Sequence, residues 1–169
     1  VEALQVRHIV ILGHARCGGI RSFAEKRAPL SSGDFIGKWM SIIAPAADTL
    51  EDPGDEPSPD YITRLELAAV EQSLANLKLP YVDLLLIHWN NPDVPFKLSV
   101  GALCKAKKEG KTKHIGVANF TTTMLDEAWA VTSEPLVCNQ VEMHPFINQD
   151  KVLAACKKHG MAVVAYCPI

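Results

Sequence analysis

VDLLLIHWNNPDVPFKLSVGALCKAKKEGKTKHIGVA, residues 82–118, holds the pattern that decides the fold. Val82–Ile87 is a nearly unbroken apolar run of strand length, which predicts a strand buried on both faces. Val100–Lys108 predicts a helix, and Gly110 ends it. His114–Ala118, HIGVA, predicts a second strand. A helix between two strands implies a parallel pair, since an antiparallel pair needs only a tight turn. The rhythm continues downstream. Thr122–Val131 predicts a helix with Thr121 as its cap, Val137–Met143 a strand, Gln149–His159 a helix ended by Gly160, and Met161–Ala165 a last strand. Upstream, HIVILG (His8–Gly13) reads as one more buried strand. The expected fold class is α/β: about five parallel strands with flanking helices, as a partial (β/α) barrel or an open sheet.

Before residue 82 comes PDYITRLELAAVEQSLANLKL, residues 59–79. Leu67, Val70, Leu74 and Leu77 fall at steps of three, four and three, the stripe of an amphipathic helix; Ile62, Leu65 and Ala69 widen it, and Pro80 stops the helix. Ile20–Lys26 and Asp34–Ala44 predict two shorter helices. Residues 48–60, acidic and broken by prolines, read as a solvated loop.

The totals narrow the partners. The 169 residues suit one domain, and 48% apolar with 21% charged is ordinary for a soluble chain. A net charge of −2 gives no case for nucleic acid or an anionic membrane. No apolar run is long enough to span a bilayer, and no signal peptide is legible at the start. Cys17, Cys104, Cys138, Cys156 and Cys167 are odd in number and scattered, which suggests free thiols in a reducing cytoplasm. All but Cys17 read as small core residues. The lysines at 105, 107, 108, 111 and 113 read as a solvated helix face.

Polar residues recur where each strand ends: His14 and Cys17, His88 and Trp89, Asn119, then Gln140 with Glu142 and His144, and finally Tyr166 with Cys167. In parallel α/β folds that edge holds the active site. Cys17 at a helix start, with His14 three residues before it, offers a thiolate and an imidazole to one point, a zinc-binding pair by chemistry.

VRHIVILGHARCGGIRSFA, with PLSSGDFIGKWMSIIAPAAD and YITRLELAAVEQSLANL, resembles the β-class carbonic anhydrases over about residues 1–77. The resemblance implies that His14 and Cys17 match two zinc ligands of that family, whose metal-bound hydroxide attacks carbon dioxide. No counterpart of the family's Cys-x-Asp-x-Arg motif is present, so the zinc site is partial.

From about Glu71 the chain resembles the aldo-keto reductases, NADP(H)-dependent enzymes built on a (β/α)8 barrel. EQSLANLKLPYVDLLLIHW, GALCKAKKEGKTKHIGVANF and PLVCNQVEMHPFINQDKVLAACKKHGMAVVAYCPI carry the match, which corresponds to the fourth to seventh barrel strands. The resemblance implies that His88 is the catalytic histidine facing the substrate carbonyl. It implies that Asn119 and Gln140 hold the nicotinamide carboxamide, and that Tyr166 stacks on the nicotinamide ring. Ala118 and Cys167 stand where the family commonly has serines. The proton-donating tyrosine and its lysine and aspartate have no match here.

Together these readings describe one hybrid α/β domain over 1–169, a carbonic-anhydrase-like segment 1–77 and a reductase-like segment 78–169, joined within the 59–79 helix. They imply no complete active site. The function expected to persist is NADP(H) binding or weak carbonyl reduction of a small-molecule substrate, with zinc-dependent CO2 hydration as the alternative. A partial barrel leaves open edges, so a homo-oligomer is also expected.

Overall fold

Strands whose residues are apolar on both faces need cover on both sides, and helices returning between parallel strands supply one of those layers. The computed structural model describes residues 10–13, 44–51, 58–90, 92 and 95–168; the strands at 82–87, 112–118 and 136–142 are largely buried, whereas the last, at 162–166, is mostly exposed. The chain divides into two compact units, Val1–Ala15 with Tyr81–Ile169, and Arg16–Pro80.

The first unit carries a parallel sheet of five strands: β1 (Val10–Gly13), β2 (Val82–Ile87), β3 (Thr112–Ala118), β4 (Leu136–Glu142) and β5 (Ala162–Tyr166). They lie in the order β1-β2-β3-β4-β5. β1 belongs to the carbonic-anhydrase-like text, yet it pairs with β2 of the reductase-like text, Val10 opposite Leu84 and Gly13 opposite Ile87. Between β3 and β4 the register slips: Ile115 pairs with Leu136, but Val117 pairs with Asn139. β4 therefore advances three residues where β3 advances two, which is a bulge.

Three helices of this unit follow β2, β3 and β4: α3 (Phe96–Lys108), α4 (Thr122–Val131) and α5 (Asp150–Lys158). α3 starts a turn before the apolar periodicity suggests, because Pro95, with φ −56°, precedes its first residue. Thr121 caps α4 as expected, its hydroxyl accepting from the Met124 N–H at 3.3 Å. Gly110 and Gly160, both at positive φ, follow the ends of α3 and α5. Val100, Ile115, Val117, Leu125 and Ala128 are fully buried.

Gly116 is fixed by packing. A Cβ placed there would lie 2.8 Å from the Cys138 carbonyl oxygen, 2.8 Å from Leu86 Cδ2 and 2.9 Å from Cys138 Sγ. Alternation along paired strands then sorts the sheet. Leu86, Gly116, Ala118, Cys138, Gln140, Val164 and Tyr166 share one face. Ile87, Val117, Asn139 and Val141 lie on the other.

The basic run is neutralised locally. Lys107 meets Glu134 at 2.9 Å, Lys113 meets Asp83 at 3.0 Å, and Lys111 meets Glu109 at 2.6 Å. Asp126 on α4 accepts from Lys158 at 2.8 Å and from His159 Nε2 at 2.6 Å, while the His159 ring stacks on Trp129 at 4.9 Å. Glu134 has a testable consequence. The hydrogen bond from Lys107 holds its carboxyl below the ordinary value of 4.5, burial opposing this. A depressed acid stabilises the fold fully above its unfolded value and loses that contribution as pH falls through the folded one. Acidification from pH 7 to below 4.5 should therefore lower the urea midpoint more in the parent than in Glu134→Gln. Equal pH profiles would refute the role.

The second unit contains α1 (Ala44–Ala47) and α2 (Pro59–Leu77). The Ser58 hydroxyl caps α2 by accepting from the Tyr61 N–H at 3.1 Å, and Lys78 ends it at φ 54°. Leu65 and Leu74 of the expected stripe are buried. Leu65 packs with Tyr61 and Ala46, flanked by Ala47, Leu50 and Ala68, while Leu67, Val70 and Leu77 are half-buried. The expected helices at 20–26 and 34–43 lie outside the described residues.

Candidate functional site at the ends of the strands

In a parallel sheet every strand ends at the same edge, so residues far apart in sequence meet there. Asn119 is the centre of that meeting. It follows β3 with φ 58°, a left-handed conformation that asparagine tolerates better than most residues. Its backbone N–H donates to the Gln140 carbonyl at 2.8 Å. Its side-chain Nδ2 donates to the His88 carbonyl at 2.9 Å, and its Oδ1 accepts from the Tyr166 hydroxyl at 2.8 Å. One asparagine thus ties the ends of β2, β3, β4 and β5 together.

The surrounding groups are distinct in kind. His88 is half-buried, with its ring 6.2 Å from that of Trp89. Gln140 is half-buried, and its side-chain amide has no hydrogen-bond partner among the described residues. Glu142 and His144 form a pair at 3.1 Å. The Phe146 N–H donates to His144 Nδ1 at 3.2 Å, so the ring proton sits on Nε2 and is donated to the Glu142 carboxylate. Gln149 Nε2 donates to the Glu142 carbonyl at 2.8 Å, closing the loop after β4. Phe146 is 95% exposed at this end and Trp89 51%.

The structure therefore brings His88, Asn119, Gln140 and Tyr166 to one edge. His14 and Cys17 lie outside the described residues. Among the described residues, no group of three or more His, Cys, Asp or Glu could hold a metal ion.

The cysteines need one correction. Cys104, Cys138 and Cys156 are buried as expected, but Cys167 is exposed at φ 48°. It lies past the last strand, where no helix of the described residues covers it. Burial, with Cys156 nearby, pushes the Cys138 thiol up to about 11, so it stays protonated. Burial also raises Cys104, but hydrogen bonds from Thr132, Ser133 and Glu134 outweigh it and leave that thiol below its ordinary value.

Asn139 was not singled out by the sequence reading. It is wholly buried, and its amide pairs with both backbone groups of Phe120: Oδ1 accepts from the N–H at 3.3 Å and Nδ2 donates to the carbonyl at 3.0 Å. The signal was available. An asparagine inside the apolar strand LVCNQVE must find partners, because a buried amide without them is costly.

Two families match the chain over different parts of its length. The family described as "Aldo/keto reductase family" matches over residues 53–169, and the one described as "Carbonic anhydrase" over residues 1–84. The methylglyoxal reductase DkgB of Escherichia coli O157:H7 is 40% identical over 103 residues, 59% of this chain and 39% of that protein. The chain thus spans about two fifths of the length of that relative. A solved structure provisionally named a 2,5-diketo-D-gluconic acid reductase B aligns with 99% of this chain and 68% of its own, with TM-score 0.61 and 26% identity. An aldo/keto reductase from Klebsiella pneumoniae, solved with NADP and acetate, aligns with 59% of this chain and 36% of its own, with TM-score 0.55 and 33% identity.

Proposed function

Because this chain belongs to the aldo/keto reductase family, we propose that it binds NADP(H) at the ends of β2 to β5 and reduces small carbonyl compounds weakly. The observation that carries the reading is the Asn119 junction, which sets an amide, an uncommitted glutamine and a tyrosine ring around one edge. These residues fit a nicotinamide. Gln140 has hydrogen-bonding capacity to spare, and so does Asn119, whose carbonyl and amino groups can each take a second partner. The Tyr166 ring offers an aromatic face. The cofactor supplies the hydride when bound.

His88 is assigned the substrate end, orienting a carbonyl by a ring N–H. Developing negative charge on that oxygen then lacks the acid that the family's tyrosine provides, so turnover is expected to be slow while binding persists. The hybrid join is assigned to α2, a placement supported by the overlap of the two family matches at residues 53–84. Titration of the chain with NADPH, read by nicotinamide fluorescence, tests the proposal. Saturable enhancement is expected, and an unchanged spectrum at about 1 mM cofactor would reject it.

A zinc-dependent CO2 hydratase is a second reading, favoured by the carbonic anhydrase match over residues 1–84. His14 and Cys17 would supply two of its ligands. Zinc far below one equivalent in protein purified without chelator would exclude it.

A further inference from the structure

We propose that Asn139 is a positioning residue: by clamping the backbone of Phe120 it sets the direction in which Asn119 presents its amide. The inference rests on the cofactor reading above and extends it to a residue that touches no ligand.

The β4 bulge places Asn139 opposite Val117, on the face of the sheet away from Gln140, where it is wholly buried. Its side-chain amide makes a two-point clasp on Phe120, 3.3 Å to the N–H and 3.0 Å to the carbonyl. The Phe120 ring is held independently, 1% exposed and edge-on to Phe96 at 5.6 Å. On the other side of Asn119, Ala118 is in register with Gln140, and the Asn119 N–H itself donates to the Gln140 carbonyl at 2.8 Å. Asn119 is therefore suspended between two immobilised neighbours, and its left-handed φ of 58° follows from them. That conformation turns its side chain to the His88 carbonyl and the Tyr166 hydroxyl.

An apolar residue at 139 would fill the volume but leave two buried backbone groups of Phe120 unpaired. They would then seek other partners, and the turn carrying Asn119 would move with them. A site pre-organised in this way binds its ligand without first ordering the loop.

The test uses the whole chain and two readouts. Asn139→Ala is expected to weaken NADPH binding about tenfold, the factor for losing a hydrogen bond of good geometry. It should also speed hydrogen exchange of the Asn119 side-chain amide, followed by NMR, at least about tenfold. In an Asn119→Ala background the same substitution should weaken NADPH no further, because the two residues act as one unit. Met161→Ala, a buried change at the start of β5, should lower stability yet leave the Asn119 exchange and the affinity unchanged. Should the alanine variant not fold, Asn139→Gln keeps the amide but displaces it by a methylene and is read in the same way. Unchanged exchange at Asn119, or additive losses in the double variant, would overturn the positioning role. Failure of the parent to bind NADPH would reject the cofactor reading alone, since the exchange measurement still decides the clasp.

Discussion

Gly116→Val should bring the sheet close to unfolding, and Gly116→Ala should already lower stability by about 1–3 kcal/mol, the usual cost of overpacking. The space is missing on three sides: a Cβ meets the Cys138 carbonyl oxygen and Leu86 Cδ2 at 2.8 Å, and Cys138 Sγ at 2.9 Å. Two of those atoms end side chains that could shift. The carbonyl is backbone, and moving it disturbs the pairing that sets Asn139 and Gln140 against Val117 and Ala118. Valine adds two further carbons on the same crowded side. With a native margin of about 5–15 kcal/mol for typical domains, the valine variant should show a sharply reduced urea midpoint. Cys138→Ala in the alanine background should restore only part of the loss, because it removes the sulfur and leaves the carbonyl. A Gly116→Ala variant as stable as the parent would show that the β3–β4 contact is not as described.

The second large effect is expected on cofactor affinity. Tyr166→Ala should weaken NADPH binding about 30- to 100-fold, corresponding to roughly 2–3 kcal/mol from a lost stacking surface and a lost hydrogen bond to Asn119. Tyr166→Phe separates the two contributions. It keeps the ring and removes only the hydroxyl that donates to Asn119 Oδ1 at 2.8 Å. A loss of less than about tenfold is expected for it, the net worth of one hydrogen bond. If phenylalanine costs as much as alanine, the hydroxyl and not the aromatic face holds the cofactor. If neither variant differs from the parent, Tyr166 has no part in binding.

Much of the fold was legible because its signals are local. VDLLLI reads as a strand from its own composition, and α4 reads as a helix from its periodicity and from Thr121 ahead of it. The gathering of His88, Asn119, Gln140 and Tyr166 was legible for a related reason: each follows or ends its strand, and parallel strands share a C-terminal edge. Cys167 misled because a cysteine in apolar text resembles a core residue, whereas its position past the last strand leaves it exposed. Tyr61 joins Leu65 in the packing against α1, a contact that the periodicity of α2 alone does not show.

Sequence alone determined the order of strands and helices, and it identified two families of text meeting near one helix, since periodicity and motifs belong to contiguous residues. The tertiary structure alone decided how those parts engage. It placed β1 beside β2, put the bulge in β4 that turns Asn139 toward Phe120, and made Asn119 the knot between His88, 31 residues away, and Tyr166, 47 residues away. Bonds over such separations depend on register, and register is set only when the whole sheet packs.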